Sequence, residues 1–275
     1  MGNARLRSIH VHPVKAFRGV SPRAAEVEPW GLTGDRRWML VDDGGKVVTQ
    51  RQRPSLALAA AEPLPGGGVR LSAPGARPLT VPAPDGGETV MVELFRDKVR
   101  VTPAADEAAH AWCAAYLGAR TRLVHLDDPA TRRPIDPVYA RPGETVSLAD
   151  GYPLLLTATA SLDALNSLIA RGDHAAEGPL PMDRFRPNVV VDGTGAWAED
   201  GWSRVTIGEV AFRVAKPSGR CVVTTTDQAT AARGREPLHT LGRHRRRDGR
   251  LLFGQNLVPL SGGTVRVGDP VTVDG

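Results

Sequence analysis

The chain has 275 residues, 41% apolar and 24% charged, an ordinary globular balance long enough for a full hydrophobic core in one or two domains. A formal charge of +5 and a pI near 9.7 come without a nucleic-acid motif or interleaved aromatics, so nucleic acid is not an expected partner, and the excess charge belongs to a solvated basic face or to sites for phosphate or acidic groups. Two distant cysteines, Cys113 and Cys221, argue against a disulfide framework, and no apolar run approaches the ~20 residues of a membrane span.

Met1 to Arg7 lacks the apolar stretch of a secretory signal, so a reducing, cytoplasmic location is expected. The first hundred residues read as β: a strand over Leu6–Val14, then Arg37–Val41, the turn Asp42-Asp43-Gly44-Gly45 and a returning strand over Lys46–Gln50, which together predict a hairpin. Val69–Leu71 and Val90–Val101 predict further strands, separated by loops rich in Pro and Gly. Thr102 as cap and Pro103 as first helical residue then open a helix that Gly118 ends, with Ala109, Trp112, Cys113, Tyr116 and Leu117 on its apolar stripe. Cys113 on that stripe reads as a buried small hydrophobe.

Residues 127–145 read as a long loop. Tyr152–Leu156 predicts a strand and Ser161–Ala170 a helix facing inward through Leu162, Leu165, Leu168 and Ile169. Strands are then expected over Asn188–Val191, Arg204–Ile207 and Val210–Ala215, the last two joined at Gly208-Glu209, and over Cys221–Thr225, Leu251–Phe253 and Thr264–Val267. Arg243–Arg250 holds five Arg and one His, as a solvated loop or a docking surface. The fold class is therefore α+β and β-dominated: a β-rich domain over residues 1–125, then a second β-rich domain, a barrel, over 126–275.

Three clusters carry chemistry. In Lys216-Pro217-Ser218-Gly219-Arg220-Cys221 a strand turns through Pro, Ser and Gly into a cysteine beside an arginine. Such a turn presents N–H groups to an anion, and the guanidinium favours a thiolate, a ligand for soft metals. On the residues alone, Cys221 is either a packed side chain or a working thiol. Arg184 and Arg186 alternate along a stretch that Pro187 biases to be extended, which puts both on one face, as salt-bridging residues or as phosphate ligands. Lys15, after His12-Pro13-Val14, and the pair Asp35-Arg36 form the third. No zinc site, P-loop or dinucleotide fingerprint is present.

Taken in order, His12-Pro13-Val14-Lys15, Gly34 through Asp42, Thr49-Gln50-Arg51, Ser161 through Asn166, Arg184 through Asn188, Glu199 through Trp202, Arg220-Cys221, Thr224-Thr225, Glu236-Pro237-Leu238, Phe253 through Asn256 and Val267 through Pro270 resemble the MOSC family, in the branch with an N-terminal MOSC β-barrel domain. The resemblance implies a MOSC N domain followed by a MOSC β-barrel domain. It also implies a pterin-type molybdenum cofactor (Mo-molybdopterin) between them, with Cys221 as catalytic thiolate and protein ligand to the metal. Matching positions imply cofactor contacts at Lys15, Ala16, Arg36, Arg186, Ser218, Gly219, Arg220 and Asn256, and along Thr157, Ala158 and Thr159.

The activity implied is two-electron reduction of small N-hydroxylated compounds: amidoximes, hydroxylamines and hydroxylated bases. The alternatives are sulfur transfer through a Cys221 persulfide, or a non-catalytic carrier of the cofactor. Two departures are visible. Ala16 stands where relatives often carry Ser, and Ser218 where they often carry a second Cys. No cysteine cluster of a fused iron–sulfur domain is present, so a separate donor is expected, a flavoprotein reductase, ferredoxin or cytochrome. Asp227 is a candidate proton donor or a turn residue.

Overall fold

Why the chain closes on itself is visible from its first strand. The computed structural model describes residues 4–274, so the leader reading at Met1–Arg7 falls partly outside it. Arg5–Ile9 buries both Leu6 and Ile9, three residues apart, across a register shift between Leu6 and Ser8, and pairs antiparallel with Val189–Asp192. The sheet continues through Leu154–Ala158, Arg250–Pro259, Val210–Gly219, Arg204–Ile207 and Val271–Asp274. Leu6 then bonds back to Asp269 O at 2.9 Å and to Gly268 N at 2.8 Å, so the last strand meets the first in a nearly closed barrel. Closure removes the unpaired edges that an open sheet would expose. Leu6, Ile9, Leu154, Leu156, Val189, Val191, Phe212 and Leu257 fill its interior.

A five-stranded sheet follows the order Val47–Val48, Trp38–Asp42, Thr121–His125, Asp97–Pro103, Val90–Leu94. Trp38–Asp42 is an apolar run because both faces are covered: Trp38 and Leu40 pack with Phe17, Leu56 and Cys113, while Met39 and Val41 pack with Val92, Val101 and Val124. A three-stranded meander, Ala60–Pro63, Val69–Ala73 and Ala76–Val81, completes this part. The chain is α+β and strand-dominated, as expected, and among the described residues no helix is long and apolar enough to cross a membrane.

Several local expectations are corrected. Val90–Val101 is two strands, because Phe95-Arg96 turns the chain with Phe95 at φ +60. Thr102 and Pro103 end a strand, and the helix begins at Glu107, capped by Asp106, whose carboxylate accepts from Ala108 N at 2.8 Å. Cys221–Thr225 is not a strand. Thr224 and Thr225 donate their hydroxyls back to the carbonyls of Cys221 and Val222, at 2.9 and 2.8 Å, and curl Val222–Thr225 into a 3-10 turn. That competition between hydroxyl and ladder is what β-branched composition conceals.

Candidate functional site

A cavity of about 510 Å³ lies where Val14–Phe17, the turns at Arg36 and Gln50, the Ala149–Tyr152 loop and the open end of the barrel meet. Its lining holds seven lysine or arginine side chains against one carboxylate, Asp150. Such an excess of positive charge around a water-filled space is a site for a polyanion.

Backbone strain concentrates here. Of the seven non-glycine residues with positive φ among the described residues, four line the cavity: Ala16, Arg36, Phe95 and Arg186. Each costs on the order of 1 kcal/mol and persists where the surrounding structure holds it. For Arg36 and Arg186 the holding contacts are clear. Arg36 donates to Asp35 Oδ2 at 2.5 Å, Asn188 Oδ1 at 2.8 Å and Arg186 O at 3.1 Å. Asp35 in turn accepts from His12 N at 2.7 Å, and Asn188 from Leu155 N at 3.1 Å, which ties both parts of the molecule to one guanidinium. Arg186 donates to Phe17 O at 2.7 Å and Gln228 Oε1 at 3.4 Å and has no carboxylate within ion-pair range among the described residues. Burial first, and Arg36 second, push its guanidinium down from the usual range.

Lys15 is buried and donates to Leu148 O at 2.8 Å and Asp150 Oδ1 at 2.5 Å. Burial pulls its amine down to about 8 against the opposing pull of Asp150. The Asp150 side chain is two-thirds exposed; what desolvation it suffers would raise its carboxyl, but Lys15 and then Arg51 outweigh that and hold the group below the usual carboxylate range.

Strand Val210–Gly219 delivers the thiol. Its pairing with Arg250–Pro259 shifts register between Val214 and Lys216 and again between Pro217 and Gly219. These bulges re-aim Lys216, Ser218 and Gly219 toward the cavity. Arg220 donates to Ser218 Oγ at 2.9 Å and Phe185 O at 2.8 Å, leaving its Nε without a partner. Cys221 is half-buried on the cavity wall, and Arg51 Nη2 lies 3.5 Å from its Sγ. Cys113, by contrast, is fully buried, and burial pushes its thiol up to about 12.

Lys15, Ala16, Arg36, Arg186, Ser218, Gly219, Arg220, Cys221 and Asn256 are therefore brought together. Thr157, Ala158 and Thr159 are not: they sit at the far end of Leu154–Ala158, paired with Val190 and Val191 and leading into the helix Thr159–Ile169. The cavity takes Leu154 and Leu155 from the near end of that strand, with Asp150, Gly151 and Tyr152 just before it.

Arg184 and Arg186 do not share a face. Met182–Phe185 is a 3-10 turn and Arg186 is left-handed, so Arg184 points away to an ion pair with Asp227 at 2.9 Å. Asp227 is a turn residue accepting from Ala229 N and Thr230 N, both at 2.9 Å, and does not line the cavity.

Sequence reasoning missed Asp150 and Phe95 on the cavity wall, and assigned no place in the site to Lys216, Arg250 or Arg51 although each lies in a segment it singled out. Arg51 is presented by a clamp. Gln50 donates to Ala16 O at 2.7 Å and exchanges amide bonds at 3.1 Å with Gln228, while Arg233 holds the carbonyls of Gln50 and Arg51.

A family model described as MOSC N-terminal beta barrel domain matches residues 3–120, and one described as MOSC domain matches residues 143–272. The chain is 32% identical to mitochondrial amidoxime-reducing component 1 of Mus musculus, over 97% of this chain and 81% of that protein. It is 33% identical to the Homo sapiens protein of the same name, over 97% and 82%. Molybdenum cofactor sulfurase of Oryza sativa subsp. japonica is 28% identical over 92% of this chain, which spans only 32% of that longer protein.

Proposed function

The chain belongs to the MOSC family, in the form with a MOSC N-terminal beta barrel domain ahead of the MOSC domain, and on that premise we propose that it reduces N-hydroxylated compounds with a molybdenum pterin cofactor. The observation that carries this reading is the cavity itself: seven cationic side chains and one carboxylate around a single half-buried thiol.

The residues present fit such a group. A phosphate-bearing pterin is anionic, and guanidinium and ammonium donors suit it. Among the described residues Arg220 Nε has no partner, and Arg186 has only neutral ones. A thiolate is a soft ligand of the kind a molybdenum centre takes. Lys15, Ala16, Arg36, Arg186, Ser218, Gly219, Arg220 and Asn256 would hold the group, and Cys221 would ligate its metal. When bound, it would supply the two-electron chemistry that breaks an N–O bond, consuming two protons and releasing water.

The chain's own residues do the rest. Arg51 donates to Cys221 Sγ across 3.5 Å, which orients the sulfur. Asn188 and Asp35 lock Arg36, so that the charge facing the cavity is fixed before any ligand arrives. The clamp from Gln50 to Gln228 keeps Arg51 and Cys221 in register although they come from opposite halves of the chain. Electrons would come from a separate redox protein.

The test is to purify the protein from a host that makes the cofactor, measure molybdenum and pterin, and assay benzamidoxime with an artificial donor. Cofactor and turnover together are expected, with Cys221→Ser losing both metal and turnover while keeping its melting temperature. A Cys221→Ser variant of normal activity refutes the ligand assignment. The match to a sulfurase favours a second reading, sulfur carriage on Cys221. It predicts a persulfide at Cys221 by mass spectrometry and no N-reduction. Cofactor without reduction of any N-hydroxylated compound would instead identify a carrier.

A further inference from the structure

The cavity does not end at the thiol. Past Phe95, Asp150 and Tyr152 it opens into a second lobe of about 610 Å³, a size that accepts a small organic molecule. Several polar groups around this lobe are already engaged, while Tyr152 OH and Arg133 Nε have no partner among the described residues. Arg133 pairs with Asp97 at 3.2 Å and donates to Ser147 O at 2.6 Å, and Asp136 accepts from Val138 N at 3.0 Å. Lys216 Nζ lies 3.8 Å from the Tyr139 ring centroid and 5.1 Å from that of Tyr152. Ile135 and Val146 behind the lobe are buried, and the hydrocarbon left to a guest is chiefly the Phe95 ring, with the edge of Tyr152.

Phe95 stands at the junction of the two lobes and is out of place by every local rule. It occupies the turn between Val90–Leu94 and Asp97–Pro103 at φ +60, a conformation that favours glycine. Its side chain is 42% exposed, so the ring gains only part of the burial that would offset this strain. Glycine there would relieve the backbone at little loss of packing. A strained, exposed aromatic in a cavity wall is the kind of outlier from which a role in binding is inferred. The ring is also held in place: Arg51 Cζ lies 4.4 Å and Lys15 Nζ 5.2 Å from its centroid. Those cations fix the ring's attitude at the mouth of the second lobe.

We propose that this lobe is the substrate subsite and that Phe95 is its specificity-determining residue, selecting flat aromatic N-hydroxylated compounds by stacking on their ring. This rests on the reductase reading above and deepens it: the guest's aromatic body occupies the second lobe, and its N–O group reaches into the lobe that holds Cys221. Aromatic stacking together with the burial it brings is worth about tenfold in affinity.

The experiment compares the holoenzyme with its Phe95→Gly and Phe95→Tyr variants. The kcat/KM ratio for benzamidoxime over acetamidoxime is measured, with calorimetric binding of benzamidoxime and the melting temperature. In Phe95→Gly the ratio is expected to fall about tenfold and benzamidoxime binding to weaken equally, with no loss of melting temperature; Phe95→Tyr keeps the ratio. An unchanged ratio overturns the proposal. So does a Phe95→Gly variant that melts several degrees lower, which would make the ring structural. If the wild type reduces neither compound, the reductase reading fails and binding decides the subsite. Benzamidoxime binding that weakens about tenfold in Phe95→Gly then upholds it, and absent or unaltered binding overturns it.

Discussion

Replacing Arg186 by Met separates what the cavity's charge does for folding from what it does for ligand. In the ligand-free protein the guanidinium makes one good hydrogen bond, to Phe17 O at 2.7 Å, and a long one to Gln228 Oε1 at 3.4 Å. A charged donor to a carbonyl contributes about 1.5–3 kcal/mol. Against this stand the desolvation of a half-buried cation and repulsion from a second guanidinium, Arg36, which the more distant carboxylates Asp35, Asp150 and Asp183 only partly relieve; a net cost of about 2 kcal/mol is the scale of one charge pair at an effective dielectric near 20. The two nearly cancel. Arg186→Met without cofactor should therefore melt within about 4 °C of wild type, a change of about 1 kcal/mol in a chain of this size. With cofactor the balance differs, because an anion in the cavity turns the cost of the unpaired charge into attraction. Loss of one charge-assisted contact should then weaken retention by about tenfold to a hundredfold. Differential scanning calorimetry on the cofactor-free protein and molybdenum and pterin content after extended dialysis read the two effects separately. A fall of more than about 10 °C with full retention would show that Arg186 serves the fold and not the ligand, and would refute the reasoning.

Three further outcomes are expected. Iodoacetamide under native conditions, followed by mass spectrometry, should modify Cys221 and spare Cys113, which is fully buried with its thiol pushed up to about 12; two modified thiols would contradict the packing. Gly254→Ala should cost about 3 kcal/mol or more, lowering the melting temperature by about 10 °C: at φ +79 its new Cβ would lie 2.5 Å from Leu156 O, in the middle of the barrel sheet.

The last concerns pH. Lys15 falls to about 8 in the folded chain from ~10.4 unfolded, so the native amine is neutral between these values. Binding of inorganic pyrophosphate to the cofactor-free protein should therefore weaken by about tenfold as pH rises through 8, and Lys15→Met should flatten that dependence. The depressed Asp150 acts at the other end. Its ion pair with Lys15 contributes fully to stability between the unfolded carboxylate value, near 3.9, and the Lys15 value, about 8, and that contribution is lost progressively as pH falls from 3.9 toward the depressed folded value.

Local chemistry carried much of the fold into the sequence. Asp42-Asp43-Gly44-Gly45 marks a hairpin because its residues suit the turn, and Gly118 ends a helix because it adopts the left-handed conformation at φ +61. Legibility failed where two local rules competed. Thr102 and Asp106 are both capping residues, and only pairing of Thr102 with His125 assigns the first to a strand. The β-branched run after Cys221 looks extended until its threonine hydroxyls bond backward. Phe95-Arg96 bears no turn residue, so nothing in composition marks the bend.

The site divides the same way. The sequence by itself determined the thiol, its arginine and the run of cations at Lys15, Arg36 and Arg186, because each lies in a short motif whose chemistry is local. Their mutual arrangement was decided by the tertiary structure alone. Lys15 meets Asp150 across 135 positions, Arg36 meets Asn188 across 152 and Arg51 meets Cys221 across 170. Such pairs form because the first strand crosses into the barrel and carries the following segments to its open end. For the same reason Thr157 and Ala158 lie at the end of their strand away from the cavity, and Thr159 opens the helix beyond it. A strand presents only one end to a cavity, and which end depends on partners that local sequence does not name.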